Sequence, residues 1–120
     1  MFLPSSVRIF LSSKPTDMRK SHHGLSSLVR QRFSEPLVSG HLFVFYNKRR
    51  TLLKVLFYDR GGMALFYKRL EKGRFCIPEP RRQGGPLVLA SADLQMILAG
   101  LDPGQVTPQK LWEPGTVRKS

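Results

Sequence analysis

The spacing of apolar positions changes period twice along this 120-residue chain, and each change marks an element. Residues 7–12 (VRIFLS) are rich in β-branched and apolar side chains and stop at a Ser-Ser-Lys-Pro run, which predicts a short N-terminal strand. Beyond Pro15 the spacing lengthens. Met18, Leu25, Leu28, Val29 and Phe33 fall on about one face of a 3.6-residue period, which predicts a helix that ends at Ser34, Glu35 and Pro36. Pro15 suits a first helical turn and Asp17 complements its positive end, while Gly24 weakens the helix by about 1 kcal/mol relative to Ala.

Between His41 and Ile77 the pattern shortens to runs of β-branched and aromatic residues broken by turn clusters, the signature of an antiparallel meander. Four strands are predicted, over 42–47, 52–58, 63–70 and 74–77, with turns at 48–50, 59–62 and 71–73. Whether the second turn centres on Arg60-Gly61 or Gly61-Gly62, Leu53, Val55, Phe57, Ala64 and Phe66 share one side, the expected core face. The other side carries Lys54, Leu56, Tyr58, Met63, Leu65, Tyr67 and Arg69. A three-residue first loop would add Phe43 and Phe45 to the core face and Tyr46 to the mixed face.

Residues 79–86 read as a Pro/Arg/Gly linker. Ser91 offers an N-cap, Asp93 sits in the first turn, and Leu94, Ile97, Leu98 and Leu101 form the apolar stripe of a second helix. The expected organisation is a single α+β domain over 1–101: short strand, helix, antiparallel four-stranded meander and C-terminal helix. A flexible tail over 102–120, with three prolines, two glycines and Trp112, follows.

Length and composition narrow what such a domain can do. One small core is affordable; a doubly wound nucleotide-binding fold with a substrate domain is not. The lone Cys76 excludes an internal disulfide and a cysteine-built metal site, which points to the cytoplasm, and in an apolar strand it reads as a small buried hydrophobe. No apolar run approaches the roughly 18 residues of a membrane helix, so no membrane partner is expected. Residues 1–11 have no basic residue ahead of their apolar part and are interrupted by Pro4 and Arg8, so they read as structure.

The eight carboxylates are scattered over turns, helix starts and linkers, without the convergence that a two-metal site needs. His22 and His23 are adjacent on a helix and diverge by roughly 100°, so they cannot share an ion. His41 opens a strand, where it caps an edge. No phosphate-binding glycine loop, zinc-finger spacing or nucleophile elbow is present. The reading is of a protein with no catalytic residues, no metal and no cofactor.

Charge supplies the stronger signal. Lys and Arg total 20 against 8 Asp and Glu, a net of +12, and residues 41–83 alone hold eleven basic and three acidic side chains, a net of +8. Lys48, Arg49 and Arg50 project from a predicted hairpin tip, where cations can replace counterions along a phosphate backbone. Lys54 and Arg69, with Tyr46, Tyr58 and Tyr67, would extend that contact, the phenols stacking on bases or bonding phosphate. Leu56, Met63 and Leu65 lie among them, and an aliphatic patch marks a packing or protein-binding surface.

Three stretches carry a family resemblance: KPTDMRKS (residues 14–21) with Gly24 and Leu25, SGHLFVF (39–45) leading into the basic turn, and YDRGGMALFYKRLEKGRF (58–75). Together they resemble the TnpB accessory proteins, second-reading-frame products of the insertion sequence sixty-six family of bacterial transposable elements, over about residues 2–101. That family is distinct from the larger RNA-guided nucleases that share the TnpB label. The resemblance implies a small protein encoded beside a separate transposase and needed with it for transposition, with no catalytic residues to carry over. The first reading is a non-enzymatic factor that binds DNA, at element ends or without sequence preference, in the bacterial cytoplasm at the nucleoid. The alternative is an adaptor docking on the transposase without touching DNA. An RNA-binding regulator ranks third, since no ribonucleoprotein-type motif is present.

Overall fold

Strand β1 (Ile9–Leu11) leads through helix α1 (His22–Arg32) to β2 (Leu42–Tyr46). A hairpin of β3 (Leu52–Asp59) and β4 (Gly62–Arg69) follows, then β5 (Leu87–Leu89) and α2 (Ser91–Leu98). The computed structural model describes residues 7–33, 36, 39–78 and 85–100; most of the expected linker and the expected tail over 102–120 lie outside them. The strands form one sheet in the order β4-β3-β2-β1-β5, with β1 parallel to β2 and every other pairing antiparallel. The fold is α+β, with one helix on each face of the sheet.

Both faces of the sheet are buried across β1, β2 and most of β3, whereas on β4 Leu65, Phe66 and Tyr67 stay exposed, so Phe66 is not the core residue expected. On one face Phe10, Phe43, Phe45 and Leu56 meet Leu25, Leu28, Val29 and Phe33, the last four from α1 and its C-cap, with Met18 and Met63 at the margin. Phe33 stands edge-on to Phe43 and Phe45 at 5.1 and 5.9 Å between ring centres, a favoured aromatic geometry. The aliphatic patch at Leu56 and Met63 is therefore covered by α1. On the opposite face Ile9, Leu11, Leu42, Val44, Tyr46, Leu53 and Val55 pack under Leu94 and Ile97 of α2 and under Phe75 and Ile77.

The first hairpin overturns the three-residue loop. Phe45 pairs with Lys54 and Tyr46 with Leu53, so four residues, 48–51, make the connection. Asn47 causes this: its Oδ1 accepts the N–H groups of Thr51 and Leu52 at 2.8 and 3.0 Å, and its Nδ2 donates to Thr51 Oγ1 at 3.1 Å. The extra residue flips sidedness. Phe43 and Phe45 share the face of Lys54 and Leu56, and Tyr46 joins Leu53 and Val55 in the core. The β3–β4 turn centres on Arg60 and Gly61, both with positive φ (49° and 84°), as a two-residue turn matched to strand twist requires.

Four other expectations change. The first helix starts at His22, not near Pro15, because Thr16 N–H is held by the Tyr46 carbonyl at 2.9 Å and Asp17 Oδ1 takes the Arg19 N–H, keeping the intervening chain out of helix. Residues 74–77 are no strand. Phe75 N–H goes to the Arg50 carbonyl at 2.7 Å, and Phe75 and Ile77 are core residues of a segment that leaves the β4 edge for the opposite one. Cys76 between them is half-buried rather than buried, with its Sγ 4.0 Å from the Gly100 carbonyl. Helix α2 begins at Ser91 with Ala90 as N-cap, whose N–H is taken by Asp93.

Candidate nucleic-acid interface

The β2–β3 connection stands at one end of the sheet, and the chain after β4 is tied beneath it: Leu70 N–H donates to the Thr51 carbonyl and Phe75 N–H to that of Arg50. Arg50 holds a positive φ of 62°, a conformation that costs a non-glycine residue about 1 kcal/mol and that the Asn47 bonds enforce. This scaffold sets two exposed cations, Lys48 and Arg49, at the tip, beside exposed Arg69 at the end of β4 and exposed Arg74.

Two shallow grooves meet at Arg49. One, of about 450 Å³, is lined by Lys48, Arg49 and Asn47 from the tip, Tyr67 and Arg69 from β4, and residues 16–19. The other, of about 380 Å³, is lined by Arg49, Thr51, Gly73 and Arg74. Of the expected site residues, Lys48, Arg49, Tyr67 and Arg69 thus come together. Arg50 is half-buried at the tip and lines neither groove.

The others part company. Tyr46 is 3% exposed in the core of the opposite face, so it offers no ring to a ligand. Tyr58, half-buried opposite Met63, lies six residues along β3 from Leu52, roughly 20 Å at strand rise. Lys54 is committed internally: its Nζ donates to the carbonyls of Met18 and Lys20 at 2.9 and 2.8 Å and stands 5.5 Å from the ring centre of Tyr67. It anchors the segment before α1 and carries the Tyr67 ring. Lys68 is likewise bonded to the Leu98 carbonyl, 2.7 Å. Arg60 lies at the far turn of the β3–β4 hairpin.

Sequence reading did not single out Arg19, Arg74, Asn47 or Arg32. Arg19 grips Asp17 through Nε and Nη2 at 3.1 and 2.9 Å, the one ion pair among the described residues, and is itself almost fully exposed. Its hydrogen bonds hold the Asp17 carboxyl well below the usual carboxylate range. Arg32 Nη1 bonds Ser12 Oγ and Thr16 Oγ1 at 3.0 and 2.9 Å, pinning residues 12–16 to α1. The Asp-Met-Arg spacing at 17–19 was a legible sign of the first; the partners of Arg32 lie 16 and 20 residues away.

His41 Nδ1 accepts the Arg8 N–H at 3.0 Å, the strand-edge role expected of it. Among the described residues no three His, Cys, Asp or Glu side chains converge, and no helix is long and apolar enough to cross a membrane.

Residues 7–108 match the family described as IS66 Orf2 like protein, TnpB_IS66. The chain belongs to the IS66 Orf2-like family. Two relatives from Sinorhizobium fredii (strain NBRC 101917 / NGR234) span nearly all of it. The uncharacterized protein y4hO is 37% identical over 117 residues, 96% of this chain and 98% of that protein. The uncharacterized protein y4jC is 32% identical over 111 residues, 92% and 93% respectively. No solved structure matches. IS66 Orf2-like proteins are transposition-related accessory proteins, which places the chain among transposase-associated components of an insertion sequence.

Proposed function

We propose that this IS66 Orf2-like chain is a non-enzymatic factor that holds DNA, in the bacterial cytoplasm at the nucleoid, for a separate transposase of the same element. The observation that carries the reading is the convergence of Lys48, Arg49 and Arg69, with Tyr67, on one groove whose only lining carboxylate among the described residues, Asp17, is paired to Arg19. Arg74 continues the positive surface through the adjoining groove. Exposed cations on a rigid hairpin end suit phosphate contact, and the half-exposed Tyr67 ring adds a stacking or hydroxyl contact. Exposed lysine and arginine heads on a loop and a strand end are phosphate-contacting groups, so the contact is read as with backbone first. Binding titrated with salt, comparing element-end duplex, random duplex and single strands, tests it. Equal affinity for all three at steep salt dependence is the expected result for a phosphate-holding surface, and salt-independent or absent binding would remove it.

A second reading, an adaptor docking on the transposase without DNA contact, draws on a different surface. An apolar groove of about 260 Å³ between α2 and the sheet is lined by Leu42, Val55, Phe66, Leu94 and Leu98. Co-purification with the transposase at high salt, free of nucleic acid, would favour it.

A further inference from the structure

We propose that the apolar groove between α2 and β4 seats the chain's own C-terminal segment, residues 101–120, with Trp112 as the side chain that fills it. The sheet leaves that place open. Five strands span about 19 Å between their outer axes, and a helix about 10 Å across covers roughly half of that width. The core beneath α2 draws residues from β1, β2, β3 and β5 but none from β4. On that face Phe66 is therefore 39% exposed, although it stands opposite buried Val55. Phe66, Val55 and Leu42 floor the groove, and Leu94 and Leu98 wall it.

The path of the chain names the occupant. The last turn of α2 is tied down beside Phe66, because Lys68, two residues along β4 on the same side, donates its Nζ to the Leu98 carbonyl at 2.7 Å. Gly100 then ends the helix at φ 81°, its N–H on the Ile97 carbonyl at 3.0 Å. Residues 101–120 leave from that point, and they include Leu101, Val106, Leu111 and Trp112, the one tryptophan of the chain. Phe66 lies about 7 Å from Lys68 at strand rise, whereas the stretch from Gly100 to Trp112 reaches up to about 40 Å, so the indole is within reach of the whole groove. An indole gains by leaving water, burying about 150–250 Å², and the Phe66 ring gives it an aromatic face to pack on. Tethering decides between occupants. A segment on so short a connection presents itself at about millimolar effective concentration, above that of a free partner or a second copy offering a similar side chain. DNA holding does not depend on this contact, since Lys48, Arg49 and Arg69 lie outside the groove.

Because Trp112 is the only indole, tryptophan fluorescence of the full chain tests the proposal. The expected native emission is blue-shifted and shielded from acrylamide relative to the urea-unfolded chain. Phe66→Asp puts a charge on the groove floor, and should return both the emission and the quenching to those of the unfolded chain while circular dichroism stays unchanged. Where that variant fails to fold, nuclear Overhauser contacts between the Trp112 indole and the Phe66 ring in the unmutated chain decide the matter, and they are expected. A wild-type Trp112 that emits as in the unfolded chain overturns the proposal and leaves the groove to a separate partner. Shielding that a folded Phe66→Asp chain retains, or the absence of any contact between the two rings, overturns it as well. Shielding lost on dilution overturns it too, assigning the groove to the C-terminal segment of a second copy.

Discussion

Replacing Lys54 with Met separates an internal anchor from a phosphate contact. The ammonium makes two hydrogen bonds to main-chain carbonyls, Met18 and Lys20, at 2.9 and 2.8 Å, from a half-buried position. A hydrogen bond to a charged group is worth about 1.5–3 kcal/mol when buried, and roughly 1 kcal/mol each allows for partial solvent access here. Methionine keeps the aliphatic stem against the sheet, so the expected loss is about 2 kcal/mol, or a melting temperature lower by roughly 10 °C for a domain of this size. Urea denaturation gives the free energy and calorimetry the temperature. DNA affinity of the folded variant, and its slope against salt, should stay within about twofold of wild type, because one half-buried, committed charge replaces no counterion. Unchanged stability together with a flatter salt slope would refute the reasoning and return Lys54 to the binding surface.

Three further outcomes follow from the same contacts. Asn47→Ala removes the acceptor of two backbone N–H groups at the tip, and should cost roughly 2–3 kcal/mol in urea denaturation and weaken DNA binding by disordering Lys48 and Arg49. Arg32→Met removes the donor to the buried hydroxyl oxygens of Ser12 and Thr16 and should destabilise by roughly 2 kcal/mol without altering the salt slope of DNA binding. Asp17→Asn frees Arg19 and deletes the groove's carboxylate, so DNA affinity at low salt should rise several-fold with a slope steeper by about 0.9 per added contact. Because Arg19 depresses the Asp17 pKa, the carboxylate form is retained from neutral pH down through the ordinary carboxylate range, and the pair's small contribution is lost only below it. The difference between wild type and Asp17→Asn should therefore be constant from pH 5 to 8 in the same binding assay.

The β3–β4 hairpin was legible in sequence because glycine and the period-2 runs act over a few residues; the strands on either side follow from them, while the turn centre stayed open between Arg60-Gly61 and Gly61-Gly62. The first loop was not, because Asn47 substitutes its side chain for a ladder partner, and one extra residue reverses every side-chain direction in β2 relative to β3. Two helices on two faces explain why Phe43, Phe45 and Leu56 could be as deeply buried as Leu53 and Val55, a symmetry that a one-face reading of the strands cannot supply. The three residues of β5 are too few to show a period, and their partner strand β1 lies nearly eighty residues earlier. The candidate site divides along the same line. Lys48, Arg49, Tyr67 and Arg69 are set by hairpin geometry and were readable, whereas the diversion of Lys54 depends on carbonyls 34 and 36 residues away.

Whether Lys48, Arg49 and Arg69 form one phosphate-holding surface is read from the slope of log affinity against log salt for duplex DNA in wild type and in the Lys48→Gln, Arg49→Gln, Arg69→Gln variant. The expected variant is folded, with a slope flatter by about 2.7, the loss of three phosphate contacts, and affinity at low salt reduced at least tenfold. An unchanged slope and affinity in that variant would contradict such a surface.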